Sequence, residues 1–443
     1  MARDHFSKDM MMYYAPTKNP ARCEDVMDPE SKNKTQSMDT STRWGLIATL
    51  RKKKPVTIAK SIILNMVLSF SLFLPVFIFV KARSEERVVL SNDKCPWLKF
   101  YDNPSTTMVI SWETDASTNS YVEYGMTPSL GTPAANASSV GVHHVYLSGL
   151  QPNTTYYYRV GNNDSGAPMT GNTFSFTTAP ATADVPFVFL AVSDTQEAAL
   201  GINHHPLVAQ GLARDAAAGA RFILHGGDVA EDGADQDSWN YYFKHAAMYS
   251  PWLPLMTAIG NHDDKPGQPL YRKYFAFRNG GENLFYSFNY SAVHVLVLDI
   301  PRGSVGDFTT SMMDFAKADL NASVAMPFKV VIFHCPAISS GFFGINQVVL
   351  DNMRPVLDQY NVTLVITGHD HHYERLVLDG TTHLVIGGGG GTLDPCHEVL
   401  AETRAVASLP HYARFRVDPA AGMTFEAVTP DGAVFDTAYF PAT

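Results

Sequence analysis

The spacing of apolar and polar residues divides the chain into regions of different character. Residues 62–80 (IILNMVLSFSLFLPVFIFV) contain no charged residue, and a helix of this length nearly covers a hydrocarbon core ~30 Å thick. We therefore predict a transmembrane or signal-anchor helix over 61–80. The alternative is that residues 1–82 form a cleaved signal. Residues 1–60 show neither helical nor strand periodicity and are predicted to be a disordered basic tail.

Between about 85 and 180, short stretches alternate apolar and polar residues and are separated by turn residues. They read TTMVISWET, SYVEYGMT, HHVYLSGL, TYYYRV and TFSFTTAP. Alternation with a period of two, interrupted by turns, is typical of strands with one buried face. The region is predicted to be a small all-β sandwich, with Trp112 and the tyrosines in its core.

From about 185 to 443, longer apolar runs end in polar turns and are separated by candidate helices. Nearly continuous apolar strands are typical of sheets covered on both faces. We predict a layered α/β domain, a β-sandwich flanked by helices, that ends in a hairpin. The predicted helices cover 203–218, 235–250, 311–321 and 346–359.

The charge distribution along the chain indicates which partners the protein can bind and on which side of a membrane its C-terminal body lies. The net charge is −10, yet residues 1–60 contain twelve Lys and Arg against seven Asp and Glu, so the body is strongly acidic. An acidic body excludes a protein that wraps nucleic acid. Basic residues before the apolar segment, together with six N-glycan acceptors after it, predict a membrane-anchored glycoprotein whose C-terminal body is extracytoplasmic, or secreted after cleavage. The acceptors are Asn136, Asn153, Asn163, Asn289, Asn321 and Asn361.

Polar residues follow the apolar strands in an order that suggests a metal site. They are Asp194, Asp228, Asn261 (with His262 and Asp263), His334, His369 and His371. The loops at the carboxyl ends of such strands converge on one crevice. So many oxygen and imidazole donors suit two ions ~3.5–4 Å apart that share one carboxylate. The glycines before three of these residues, Gly227, Gly260 and Gly368, are predicted to let the backbone turn sharply.

The blocks SDTQ, GGDVAED, GNHD, VVIFHCP and GHDHHYER resemble, in this order, those of the calcineurin-like metallophosphoesterases. The HHYER tail and the preceding sandwich, which looks like a fibronectin type III domain, point to the purple acid phosphatases within that superfamily. The resemblance covers roughly 90–443.

The resemblance implies a role for each matched residue. Asp228 would bridge two metal ions, Asp194 and His371 would bind the first ion, and the second would be bound by Asn261, His334 and His369. His262 would donate a hydrogen bond to the substrate phosphate or to the leaving oxygen. His372 is expected to face the substrate or to support a ligand, with plain solvent exposure as the alternative.

Two positions depart from the family pattern. The tyrosine that colours the purple enzymes is replaced by Glu231, and Gln196 stands where other branches place histidine. We expect Gln196 rather than Glu231 to complete the first ion's ligands. Without the phenolate, the ions could be Fe, Mn or Zn, and the protein is expected to be colourless.

These residues predict a metal-dependent hydrolase of phosphate monoesters, in which water activated by the two ions attacks phosphorus in line. A phosphodiesterase acting on cyclic nucleotides, nucleotide sugars or phospholipid headgroups would use the same residues. A third hypothesis is a non-catalytic surface adhesion protein. Cys335 is the alternative nucleophile, although a cysteine that ends a buried strand is more often packed. The glycine run at 384–392 is expected to be a flexible turn beside the site. The substrate and the oligomeric state stay open.

Overall fold

The computed structural model describes residues 94–162, 172–197, 201, 203–277, 284–396 and 399–442. The predicted tail over 1–60, the apolar helix over 61–80 and the acceptor Asn163 lie outside these residues. No helix in the described part of the chain is long and apolar enough to cross a membrane. The other five acceptor asparagines are exposed, and glycosylation at them stays a prediction.

The N-terminal domain is all-β, as the alternating pattern predicts. Its strands are β1 (Lys94–Lys99), β2 (Met108–Gly125), β3 (Thr132–Leu147), β4 (Thr155–Gly161) and β5 (Phe174–Thr177). The long strand β2 pairs with β1, β3 and β4, so these strands form one antiparallel sheet instead of the two separate sheets of the predicted sandwich. Trp112, Tyr156 and Tyr158 are buried in its core, as expected.

The C-terminal part of the chain, from Phe187 onward, contains thirteen described strands and five described α-helices. In chain order they are β6 (Phe187–Val192), α1 (His205–Ala217), β7 (Ile223–His225), α2 (Gln236–Ala246), β8 (Leu255–Thr257), α3 (Pro269–Tyr274), β9 (Tyr286–Tyr290), β10 (Val293–Val297), α4 (Thr310–Ala322), β11 (Phe328–Ile332), α5 (Gln347–Gln359), β12 (Leu364–Thr367), β13 (Tyr373–Leu378), β14 (Thr381–Ile386), β15 (Thr403–Ala407), β16 (Tyr412–Asp418), β17 (Gly422–Val428) and β18 (Val434–Pro441).

The strands of this domain form two mixed sheets. One has the order β18-β17-β16-β6-β7-β8 and the other the order β15-β13-β14-β12-β11-β10-β9. Strands β6, β7 and β8 are parallel, and so are β10, β11, β12 and β14. The expected terminal hairpin is formed by β16 and β17, which β18 extends.

The inner strands of each sheet are buried on both faces, which explains their nearly continuous apolar sequences. Along β6, Phe189 and Ala191 join a core cluster that includes residues of both sheets, whereas Leu190 and Val192 pack with residues of α1 and α2. On the seven-stranded sheet, the outward residues pack against α4 and α5. The result is the predicted layered sandwich with helices on both outer faces.

Candidate metal centre

The predicted ligands follow the carboxyl ends of five strands. Asp194, Asp228 and Asn261 come after β6, β7 and β8 of one sheet. His334, and then His369 and His371, follow β11 and β12 of the other. The two groups of loops are hydrogen-bonded to each other, since the His369 N–H donates to Asp194 Oδ1 (3.0 Å) and the His334 Nδ1–H donates to the Gly226 carbonyl (2.9 Å).

Three of these residues adopt the left-handed backbone conformation that L-residues rarely use. The φ angles are 57° at Asp194, 51° at Asp228 and 71° at His369. Such residues often occur at functional sites, where the surrounding structure holds them in place. Of the glycines that precede ligands, only Gly227 has a positive φ, 100°. Gly368 is needed for another reason: a Cβ there would lie 2.1 Å from Asp194 Oδ2.

The donor atoms form two groups that share one carboxylate. Asp228, His334 and His369 place one ligand atom each within 4.8 Å of one another, and so do Asp194, Asp228 and His371. Asn261 joins the first group, with its Oδ1 3.1 Å from His334 Nε2. The arrangement of six donors around a shared Asp228 fits two neighbouring cations.

Two histidines are oriented by backbone carbonyls. The Nδ1–H of His334 donates to the Gly226 carbonyl (2.9 Å), and the Nδ1–H of His371 donates to the Thr392 carbonyl (2.8 Å). Each ring therefore turns its Nε2 toward a carboxylate, 3.2 Å from Asp228 Oδ2 for His334 and 3.5 Å from Asp194 Oδ1 for His371. Such a carbonyl partner is a common way to position a metal-binding histidine.

The carboxylates of the site attract positive charge strongly. Burial would lower the pKa of His334, yet Asp228 and Asp194 raise it to about 9. Burial alone would also lower the pKa of His371, but its hydrogen bond to Asp194 and the charge of that carboxylate outweigh burial and raise the pKa to about 9. Protons on these two histidines therefore balance the negative charge of the carboxylates, and cations that bind here would displace these protons. The donor set and its charge both fit a metal pair.

The Asp263 carboxylate supports the loops that carry Asp228 and Asn261. This buried carboxylate accepts hydrogen bonds from the N–H groups of Val229, Ala230 and Gly260, each at 3.1 Å. Burial, together with the charge of Asp228, raises the pKa of Asp263 to about 7. The last residue of the GNHD block therefore holds the loops of Asp228 and Asn261 in place and is not one of the clustered donors.

The structure separates the two candidates for the remaining ligand of the first ion. The Gln196 amide is best satisfied when its nitrogen donates to the carbonyls of Asp194 and Asp228 (3.1 Å each) and its oxygen lies 3.1 Å from His371 Nε2. Glu231 instead lies beside His262, with 3.7 Å between Oε2 and Nδ1. The geometry favours Gln196.

Replacing Gln196 by alanine is therefore expected to lower metal content from about two ions per chain toward one. Glu231→Ala, the matched control, should leave metal content unchanged. Elemental analysis of both purified variants after incubation with Mn, Fe or Zn measures the difference. Loss of an ion from Glu231→Ala but not from Gln196→Ala would assign the ligand to Glu231.

His262 lies at the edge of the donor cluster. Its N–H donates to Asp228 Oδ1 (2.8 Å), and its ring Nδ1–H donates to the Glu231 carbonyl (2.7 Å). The side chain is 34% exposed. Nε2 is therefore the ring nitrogen left for a substrate oxygen.

His372 faces neither a substrate nor solvent, which leaves the supporting role among those that the sequence offered. The residue is fully buried, and its Nε2 lies 3.3 Å from Glu374 Oε2. Strand β13 begins at the next residue, so the chain has already turned into the sheet. Glu374 also accepts from the Ser340 N–H (2.7 Å), and Arg375 pairs with Asp436 (2.7 Å). These residues hold the loop.

Two features near the centre were missed or misjudged from the sequence. The Phe343 ring stacks on His369 at 3.9 Å between centroids, and Phe342 and Ile345 beside it are 70% and 55% exposed. The glycine run lies beside the site, as expected, but its backbone is tied down. The N–H groups of Gly389 and Gly391 donate to the carbonyls of Ser193 and Asp194. No motif marks Phe343, whereas five successive glycines after a strand could have signalled close packing.

Comparison with known proteins agrees with this geometry. Residues 97–178 match the N-terminal domain of purple acid phosphatases, and residues 187–373 match the calcineurin-like phosphoesterases. The chain is 29% identical over 381 residues to an uncharacterized protein of Mycobacterium tuberculosis, covering 68% of this chain and 70% of the other. It is 27% identical over 315 residues to purple acid phosphatase 22 of Arabidopsis thaliana, covering 62% and 67%.

The fold is also shared with solved structures. The purple acid phosphatase PPD1 of yellow lupin seeds superposes with a TM-score of 0.67 at 18% identity, over 78% of this chain and 74% of the other. Residues 187–373 therefore form a calcineurin-like phosphoesterase domain, and the chain is a phosphoesterase of the class that uses a dinuclear metal centre. Within that class it is purple acid phosphatase-like, with the N-terminal domain of those enzymes.

Proposed function

We propose that this enzyme hydrolyses phosphate monoesters at a dinuclear site. The observation that carries the proposal is the pair of donor groups that share Asp228. The first ion would be held by Asp194, Gln196, Asp228 and His371. The second would be held by Asp228, Asn261, His334 and His369. Monoesters are proposed because two relatives are named as phosphatases: purple acid phosphatase 22 of Arabidopsis thaliana and a phosphoenolpyruvate phosphatase of Allium cepa, which is 24% identical over 376 residues.

When bound, the two cations lower the pKa of water toward neutrality and offset charge on phosphoryl oxygens. The protein's own residues position the reactants. Asp263 holds the loops beneath Asp228 and Asn261, so the donors are in place before substrate arrives. Once protonated, His262 can donate from Nε2 to the phosphate or to the departing alkoxide, since its Nδ1–H is already bonded to Glu231.

A covalent intermediate on cysteine does not fit the site. Cys335 is buried, and burial raises the pKa of its thiol to about 12. A thiol with this pKa is almost entirely protonated near neutral pH and is a poor nucleophile. Cys335 packs with the apolar residues under α4 and α5.

A phosphodiesterase remains the second candidate function. Its support is the replacement of the family's tyrosine by Glu231, which weakens the link to the purple monoesterases. The exposed apolar surface formed by Phe342, Phe343 and Ile345 is compatible with an aryl or alkyl group on either type of ester. For that reason the test uses aryl esters of both kinds.

We expect the purified enzyme, loaded with Mn, Fe or Zn, to hydrolyse phenyl phosphate with a kcat/KM at least about tenfold above that for diphenyl phosphate. A chelator should abolish both activities. The reverse preference would support the phosphodiesterase. Metal binding without turnover of either ester would contradict both enzymatic proposals, and absence of metal binding would favour the adhesion hypothesis.

A further inference from the structure

A cavity away from the metal centre lies where the end of β1 meets the catalytic domain. Its volume is about 210 Å³, and it shares no lining residue with the metal centre. The N-terminal domain contributes Lys99 and Tyr101 to its wall, and the catalytic domain contributes mainly aromatic residues, among them Phe277, Tyr286 and Phe315. The cavity is therefore a separate candidate site between the two domains.

Lys99 is the unusual residue of this wall. It is only 3% exposed, and its Nζ has no hydrogen-bond partner among the residues that the structure describes. The Nζ lies over two rings that line the same cavity, 3.9 Å from the centroid of Phe277 and 4.5 Å from that of Tyr286. A buried ammonium without an anionic partner is costly, because the aromatic faces replace only part of its hydration.

Other buried lysines of the chain show how such a group is usually satisfied. Lys94, on the same strand, pairs with Glu113 and donates to Asn240 Oδ1. Lys329 donates to the Met326 carbonyl at 3.4 Å. At Lys99, by contrast, burial is the cause that lowers the pKa, to about 7, and no acidic group offsets it. Of these three lysines, Lys99 is the one whose Nζ has no hydrogen-bond acceptor among the described residues, whereas Lys329, which lines a separate cavity, has one.

We propose that this cavity binds a small molecule with a flat apolar body and one anionic group. The anionic group, a carboxylate or a phosphate, pairs with Lys99 Nζ, which is enclosed beneath Phe277 and Tyr286 and is reached when these rings turn aside. The body lies against the aromatic wall that includes Phe277, Phe285 and Phe315, of which the last two rings are 5.2 Å apart. Asp102 also lines the cavity but is exposed to solvent. Such a ligand would contact both domains at once and would not depend on the metal centre.

Benzoate is the probe for this site, with benzamide as its uncharged analogue. Calorimetry on the full chain is expected to show benzoate binding that weakens at least about tenfold in Lys99→Met, because one charge-assisted hydrogen bond is lost. Benzamide should bind the native chain as weakly as benzoate binds Lys99→Met. Lys329→Met, which removes a buried lysine elsewhere, should bind benzoate like the native chain.

A second measurement does not require the variant to fold. Acetylation of Lys99 by acetic anhydride, followed by mass spectrometry of the native chain, should slow at least about tenfold when benzoate saturates the site. Acetylation of Lys329 should not change. The proposal is overturned if benzoate does not bind at tens of millimolar, or if Lys99→Met binds it equally well. The proposal is also overturned if bound benzoate leaves the rate of Lys99 acetylation unchanged.

Discussion

Replacing Asp228 by asparagine is expected to lower kcat/KM for phenyl phosphate by at least about 1000-fold. Losing a group that merely supports a ligand typically costs 10–100-fold, and Asp228 belongs to both donor groups. The amide keeps the shape of the side chain but removes the negative charge between two histidines and two ions. Steady-state kinetics together with elemental analysis should show activity and bound metal falling together.

Asp232→Asn is the matched control for this change. Asp232 lies four positions further along the same loop, its side chain is 51% exposed, and it approaches Lys265 at 3.6 Å. The control should retain native activity and metal content, since an exposed pair of this kind contributes little. Turnover by Asp228→Asn equal to that of the native enzyme would rule out the dinuclear mechanism.

Replacing Asp263 by alanine is expected to destabilise the protein by about 3–5 kcal/mol, because it strands several buried N–H donors and leaves a cavity. The donors belong to Val229, Ala230 and Gly260. Without the carboxylate, the loops of Asp228 and Asn261 lose their common anchor, so metal content should fall as well. Denaturant unfolding and elemental analysis measure the two effects separately.

Asp264→Ala is the control for Asp263→Ala, since Asp264 is the next residue but uses its carboxylate to pair with the exposed Arg302 (3.1 Å). We expect it to change the free energy of unfolding by less than about 1 kcal/mol. Asp263→Asn should fall between the two, because one amide oxygen can still accept. If Asp263→Ala unfolds like the native chain, the carboxylate does not hold these loops.

Four of the five described α-helices were predicted closely from the sequence, because their apolar period and their caps agree, whereas α3 was not predicted. Helix α2 begins after Asp235, α4 after Thr309 and α5 after Asn346, and each of these side chains accepts a hydrogen bond from the first turn. Strand β13 was missed. Its buried Glu374 and half-buried Arg375 hide the alternation expected of a strand, and partners such as Ser340 and Asp436 make that burial tolerable.

The candidate site, like the fold, was only partly predictable from the sequence. Asp194, Asp228, Asn261, His334, His369 and His371 could be proposed from the sequence because each follows an apolar strand, and parallel strands end at one edge. The direction of His372 could not, since it depends on where β13 enters the sheet. The fibronectin-like character of the first domain, the anchor and the glycans stay predictions.

The sequence alone determined the chemistry available: which donor types exist, in what order, and after which strands. The tertiary structure decided which donors share a position. Asp228 belongs to both donor groups, Gln196 lies beside His371 whereas Glu231 lies beside His262, and Phe343 stacks on His369. The physical reason is that these residues come from loops of two different sheets. Their distances are fixed only when the buried faces of the sheets pack together, and a linear pattern does not encode that packing.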